Sequence, residues 1–229
     1  MTQATILPRR KAIAGLLATA GLLALPACQS TGQISFVEVI RRLLLLSSQQ
    51  AFARLTAPGG YWDRQVATIG LTGFLGSRGG VVASILTSPL FKSRLESAFA
   101  DIAEEGSYRA APLVAEAVRN VGIANAVALI QGGPTAASAF LRGEMGGALV
   151  EAMVPEVGQA LRIANEPLVA QLLNALTGVD VGTVARGFSQ QVDDTIWREI
   201  GVEEAAIRAN PRATNDPLLI GAFALGGAL

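Results

Sequence analysis

Apolar residues recur along this chain with the spacing of a helix face. Phe36, Ile40, Leu43, Leu44, Ala51 and Leu55 keep the three- and four-residue steps that place side chains on one stripe. Ser35 precedes the run and Glu38 follows three positions later, the spacing of a capping box. A first helix is therefore predicted over Phe36–Leu55, with the leucines 43–46 widening its stripe so that it is buried on most sides. Ala57-Pro58-Gly59-Gly60 ends it. The next stretch has no sustained period: Tyr61 and Trp62 are expected in a loop, and five glycines lie among apolar residues from Gly70 to Gly80. Beyond Pro89 the helical period returns. Helices are expected at Phe91–Glu105, Ala111–Asn120, Ile123–Ile130, Thr135–Val150, Pro155–Ala164, Pro167–Leu176 and Val181–Arg208, then a terminal turn near Leu218–Ala224. Gly106, Gly122, Gly132-Gly133, Pro155, Pro167, Gly178 and Pro211 are read as their punctuation. No segment alternates strictly, so the expected fold is all-α, a multi-helix bundle. The apolar end, Leu218 to Leu229, is expected to dock on the core.

The pattern ahead of Ser35 is of another kind. Arg9-Arg10-Lys11 is followed by fourteen uncharged residues, Ala12 to Leu25, and then by Leu25-Pro26-Ala27-Cys28. A basic end, a short apolar stretch and a small residue before the cut make a tripartite export signal. Leu at −3 and Ala at −1 fit a lipobox, in which the sulfur of Cys28 takes the lipid. The organisation read from this is a signal peptide over 1–27, a lipidated tether over 28–34 and a single helical domain over 35–229. The rival reading, a buried N-terminal helix with a chance cysteine, is disfavoured because the only cysteine falls where a lipobox requires it. The paired arginines also resemble a twin-arginine signal, and the choice between that route and the general secretory route stays open. Gln29 after the cut, in place of Asp, points to the outer membrane by the sorting rule of enteric bacteria. A diacylglycerol with an N-acyl chain anchors stably.

Composition narrows the chemistry. Apolar residues are 51% of the chain and charged residues 16%, the balance of a folded chain, while aromatics at 5% favour packed helices over a sandwich. Loss of Arg9, Arg10 and Lys11 with the leader leaves 15 basic against 18 acidic residues, a net charge of −3. Such a surface offers no footprint for nucleic acid. The chain has no histidine and one cysteine. An internal disulfide, imidazole or thiolate metal sites, and mechanisms that need a His base are excluded. No catalytic residue, cofactor or metal ligand is assigned.

Three features carry candidate contacts. Gly132-Gly133-Pro134-Thr135 opens a helix, where free N–H groups attract phosphate or carboxylate. The plainer reading, a helix stop followed by Pro at the first position of the next helix, is preferred because no Lys follows. Asp193, Asp194, Glu199, Glu203 and Glu204 share one long helix. Asp194 reaches Arg198, and Glu204 reaches Arg208, at the favourable four-residue spacing. Without histidine a divalent ion would need a further acid such as Glu104 or Glu105, so a solvated face or structural ion pairs are preferred to a metal or acid–base site. Tyr61-Trp62-Asp63 lies in a glycine-rich setting. Its aromatics suit a ligand pocket or partner grip, but a plug for the bundle end, with Asp63 capping a short helix, is preferred.

Three ordered motifs resemble one family. Glu116-Ala117-Val118, Ala126-Val127-Ala128-Leu129-Ile130-Gln131-Gly132-Gly133 and Ala136-Ala137-Ser138-Ala139-Phe140 form the first. Glu203-Glu204-Ala205-Ala206-Ile207-Arg208-Ala209-Asn210-Pro211 forms the second and Pro58-Gly59-Gly60-Tyr61-Trp62-Asp63 the third. Together they are similar to the family catalogued as domain of unknown function 4197, found in bacterial envelope proteins. Pro134, Ser138, Gly70 and Thr72 depart from its usual residues. The resemblance implies an all-helical envelope lipoprotein and supplies no reaction or catalytic residue. The function expected is a non-catalytic helical module that binds an envelope protein or an apolar ligand, lipid-anchored through Cys28 and facing the periplasm. Its rivals are a carboxylate-dependent periplasmic hydrolase and a lipid-handling protein gated by the glycine-rich segment 66–90.

Overall fold

A computed structural model describes residues 35–57, 60–69, 89–163 and 181–224. Every regular element among them is helical: α1 Phe36–Leu55, α2 Tyr61–Ile69, α3 Pro89–Asn120, α4 Ala126–Gln131, α5 Ala136–Met145, α6 Ala148–Ile163 and α7 Val181–Ala209. A 3-10 turn at Pro211–Thr214 leads into the short α8, Pro217–Leu219, which widens into a π-turn over Ile220–Ala224. None of these helices is long and apolar enough to cross a membrane. Cys28, the tether, the body of the glycine-rich segment, the predicted helix Pro167–Leu176 and the last five residues lie outside the described residues.

Helix α1 has the predicted bounds. Ser35 Oγ accepts from the Glu38 N–H at 3.4 Å, while the Glu38 carboxylate turns to Arg42 Nε, also at 3.4 Å. Val39, Ile40, Leu43, Leu44, Ala51 and Leu55 are buried, whereas Phe36 stays on the surface at the helix entry. The bundle is built around α1 and α7, which pack on one another; α3 and α6 close the core on other sides. Its largest fully buried rings, Phe99 of α3 and Phe188 of α7, meet at 5.1 Å between centroids, tilted by 60°. This offset geometry is the one aromatic quadrupoles prefer.

Several predicted boundaries move. The stop expected at Gly106 is absent, and α3 runs unbroken through Gly106 and Pro112. Gly106 lies where α3 comes close to α6 and α7: a Cβ there would sit 3.7 Å from Met153 Sδ and 3.9 Å from Val192 Cγ1. The expected helix Thr135–Val150 is two helices, separated at Gly146, whose φ of +52° the right-handed helix does not admit. Pro155, expected to open a helix, lies inside α6 with an exposed ring. At the far end Asp216 Oδ1 caps α8 through the Leu218 and Leu219 N–H groups, and Leu219 is fully buried. That part of the chain end docks on the core as expected.

Candidate functional site

The double glycine is built around an internal anion. Helix α4 starts at Asn125, whose Oδ1 accepts from the Ala128 N–H at 3.2 Å, and ends at Gly132. A Cβ on Gly132 would fall 2.6 Å from the Ala136 Cβ, so only glycine fits; around Gly133 a Cβ would meet nothing. Thr135 takes the N-cap position of α5, with Pro134 in the preceding turn instead of the first helical position. The free N–H groups of Ala137 and Ser138 donate to the two carboxylate oxygens of Glu204 at 2.9 and 2.7 Å. Glu204 is fully buried, and its charge is matched by Arg208, whose Nε donates to Oε1 at 2.8 Å. The same guanidinium reaches back to α4, where Nη2 and Nη1 donate to the Leu129 and Ile130 carbonyls at 2.8 and 3.0 Å. Phe223 lies under it, 4.9 Å from ring centroid to Cζ. One ion pair thus satisfies the positive end of α5 and the negative end of α4. Gly201, one turn before Glu204, gives the approach: a Cβ there would press Thr135 Cγ2 at 3.1 Å.

A second carboxylate joins the same two helices further along. Asp193 is buried on α7; Trp197 Nε1 donates to its Oδ1 and Arg142 Nη2, from α5, to its Oδ2, each at 2.9 Å. Arg142 also holds the exposed Asp194. Burial pushes the Asp193 carboxyl above its ordinary pKa, and the Arg142 charge only partly offsets this. Above the pair lies an open groove of about 410 Å³ along α5 and α7, floored by Ala139, Trp197, Gly201 and Ala205.

Tyr61 and Trp62 do not form a loop. They open α2, which starts after Gly60 (φ +77°) with Asp63 in the acid-favouring first turn. Trp62 and Val66, four apart, are buried, and Trp62 Nε1 donates to Ser107 Oγ of α3 at 3.1 Å. Tyr61 packs edge-on against Trp62, 5.6 Å between centroids. Its hydroxyl is pushed up to about 12, first by burial and then by the neighbouring Glu199. Glu199 and Glu203, both buried on α7, are paired with Arg54 of α1. Tyr61 and Trp62 therefore fasten α2 to the bundle, while Asp63 points to solvent beside Gly60.

The feature that sequence reasoning did not single out is a groove of about 460 Å³ between α3 and α6. Ile102, Gly106, Met153 and Val157 form its apolar floor, and Asp101, Glu105, Arg109 and Glu156 its rim. Its two walls, 101–109 and 153–160, lie more than forty residues apart in the sequence, and only the unexpected continuity of α3 through Gly106 aligns Asp101, Glu105 and Arg109 on one face. Among the described residues no three acids or cysteines are placed to hold a metal ion.

A bundle of helices joined by buried carboxylate clips, with shallow apolar grooves between them, defines an all-α domain. The chain belongs to the family described as protein of unknown function (DUF4197), whose model matches residues 30–224. The match takes in all three motifs, and the structure joins two of them, since the Gly-Gly turn and the closing Glu-x-x-x-Arg meet at Glu204. No curated protein and no solved structure matches the chain.

Proposed function

We propose that this protein is a non-catalytic binding module of the bacterial cell envelope, held by a lipid on Cys28 and facing the periplasm. The supporting observation is how the acids of α7 are used. Asp193, Asp194, Glu199, Glu203 and Glu204 each engage an arginine, and Glu204 two backbone N–H groups besides. Carboxylates so committed are poor proton shuttles, and the chain has no histidine to replace them. This weighs against a carboxylate-dependent hydrolase. Among the described residues the surface offers open grooves with apolar floors, the form of a site that binds. The lipobox Leu25-Pro26-Ala27-Cys28 supports the tether, and Gln29 favours the outer membrane.

The test is made in the native host with an alkyne-bearing fatty acid. The protein should take up the label and sediment with membranes, and Cys28→Ala should do neither. Pull-down from detergent-solubilised envelope should then recover a stoichiometric partner or bound apolar ligand. An unlabelled wild-type protein that retains its leader overturns the tether. Hydrolysis of an envelope glycan lost in Asp194→Asn or Glu204→Gln variants that remain folded overturns the non-catalytic assignment.

A further inference from the structure

We propose that the α3–α6 groove binds a small amphiphilic cation, an ammonium carried on an aliphatic stem. This rests on the reading of the protein as a binding module and names the ligand class of one groove. The floor is Ile102, Gly106, Met153 and Val157. Gly106 lets α3 come close to Met153, and Met153 is unbranched and polarizable, able to follow an alkyl chain. At about 460 Å³ the groove falls in the range of small-ligand sites.

The rim sets the charge of the occupant. Asp101, Glu105 and Glu156 line the groove with one arginine, Arg109, which is already committed: its Nε lies 2.8 Å from Glu105 and its Nη1 2.9 Å from Glu156. Among the described lining residues the acids thus outnumber the cation by two. Asp101 is not among the acids that pair with Arg109, and burial, then the charge of Asp63, raises its carboxyl above the ordinary value. An incoming cation is attracted by this excess of acids at the rim, whereas an anion is repelled. The apolar floor and the absence of converging acids among the described residues disfavour a bare metal ion, which would have to shed water for no oxygen cage.

The groove contains its own reporter. The chain has three methionines, and Met153 is the one that lines the floor. The full chain, with ¹³C-labelled methionine methyls, is titrated with hexylammonium chloride, and in parallel with hexanol and sodium hexanoate. Hexylammonium should shift the Met153 methyl saturably and leave Met145 still. The alcohol should bind more weakly and the carboxylate weakest. Asp101→Asn, at an exposed position, should weaken hexylammonium about five- to tenfold without unfolding the chain. A silent Met153 methyl, hexanoate binding as tight as hexylammonium, or an unaffected Asp101→Asn variant each overturns the proposal. Any of these alongside a fatty-acid-labelled Cys28 and a recovered envelope partner leaves the binding-module reading standing.

Discussion

Replacing Glu204 by Ala strands three groups at once: the Ala137 and Ser138 N–H groups and the guanidinium of Arg208, which is only 10% exposed. Removing one member of a buried ion pair costs about 3–5 kcal/mol, mostly because the other is left uncompensated. Glu204→Ala is expected to lower the urea-unfolding free energy by about that amount, and Glu204→Gln, which keeps an acceptor oxygen, by less. Asp193 is expected to behave differently. Its folded-state pKa is raised, so the native protein binds its proton more readily than the unfolded chain. Its contribution to stability therefore falls as pH rises through the folded value, and grows again as pH drops toward the ordinary carboxylate range. Asp193→Asn, which still accepts from Trp197, should be at least as stable as the wild type at neutral pH and should lose this acid-side gain. Denaturation curves at pH 7 and pH 5 check it: a wild type that weakens toward pH 5 relative to Asp193→Asn reverses the sign. At this scale the sequence shows half of the picture. The Glu204–Arg208 spacing declares an ion pair, but nothing local declares that its oxygens enter the start of a helix 67 residues upstream.

Helix α3 shows why the elements were harder to bound than to find. Gly106 and Pro112 are local breakers, and in isolation each would end the helix. Packing overrides both. Leu95, Phe99, Ala103, Ala110, Val114 and Val118 form one buried stripe along α3, and ending it at Gly106 would expose half of that stripe. Pro112 faces solvent and adds nothing to the stripe, yet it removes one backbone donor and crowds the preceding turn. Pro112→Ala should thus stabilise the protein, by about 1–3 kcal/mol after allowing for the looser unfolded chain. Thermal unfolding measures it, and a destabilised variant would mean that the proline shapes α3. The same reasoning explains α2. Tyr61 and Trp62 read as loop residues because Pro58-Gly59-Gly60 precedes them and no sustained period follows; the helix they open is nine residues long, too short to stand alone. Trp62 and Val66 make it stable by burying against α3. Helix α1, by contrast, was legible end to end: its cap, stripe and stop are all local.

For the molecule as a whole, what matters is which charges water can reach. Pairs such as Arg186–Glu151, with side chains 51% and 65% exposed, or Arg42–Glu38, at 52% and 47%, sit in solvent. Each such pair contributes about 0–1 kcal/mol, and salt near 1 M, with a Debye length of about 3 Å, screens it further. The core of α1, α3 and α7 and the Glu204 clip lie beyond the reach of mobile ions. Folding should consequently be indifferent to salt in its main terms. The urea midpoint of the wild type should move little between ~0.1 M and ~1 M NaCl. Glu151→Gln should show a small deficit at the lower concentration and none at the higher. Glu204→Ala should keep its full deficit at both, because no ion follows the carboxylate into the start of α5. If that deficit instead shrinks with salt as the Glu151→Gln deficit does, Glu204 is solvated. The joining of the double-glycine turn to the closing Glu-x-x-x-Arg motif would then not be what holds α4 and α5 against α7.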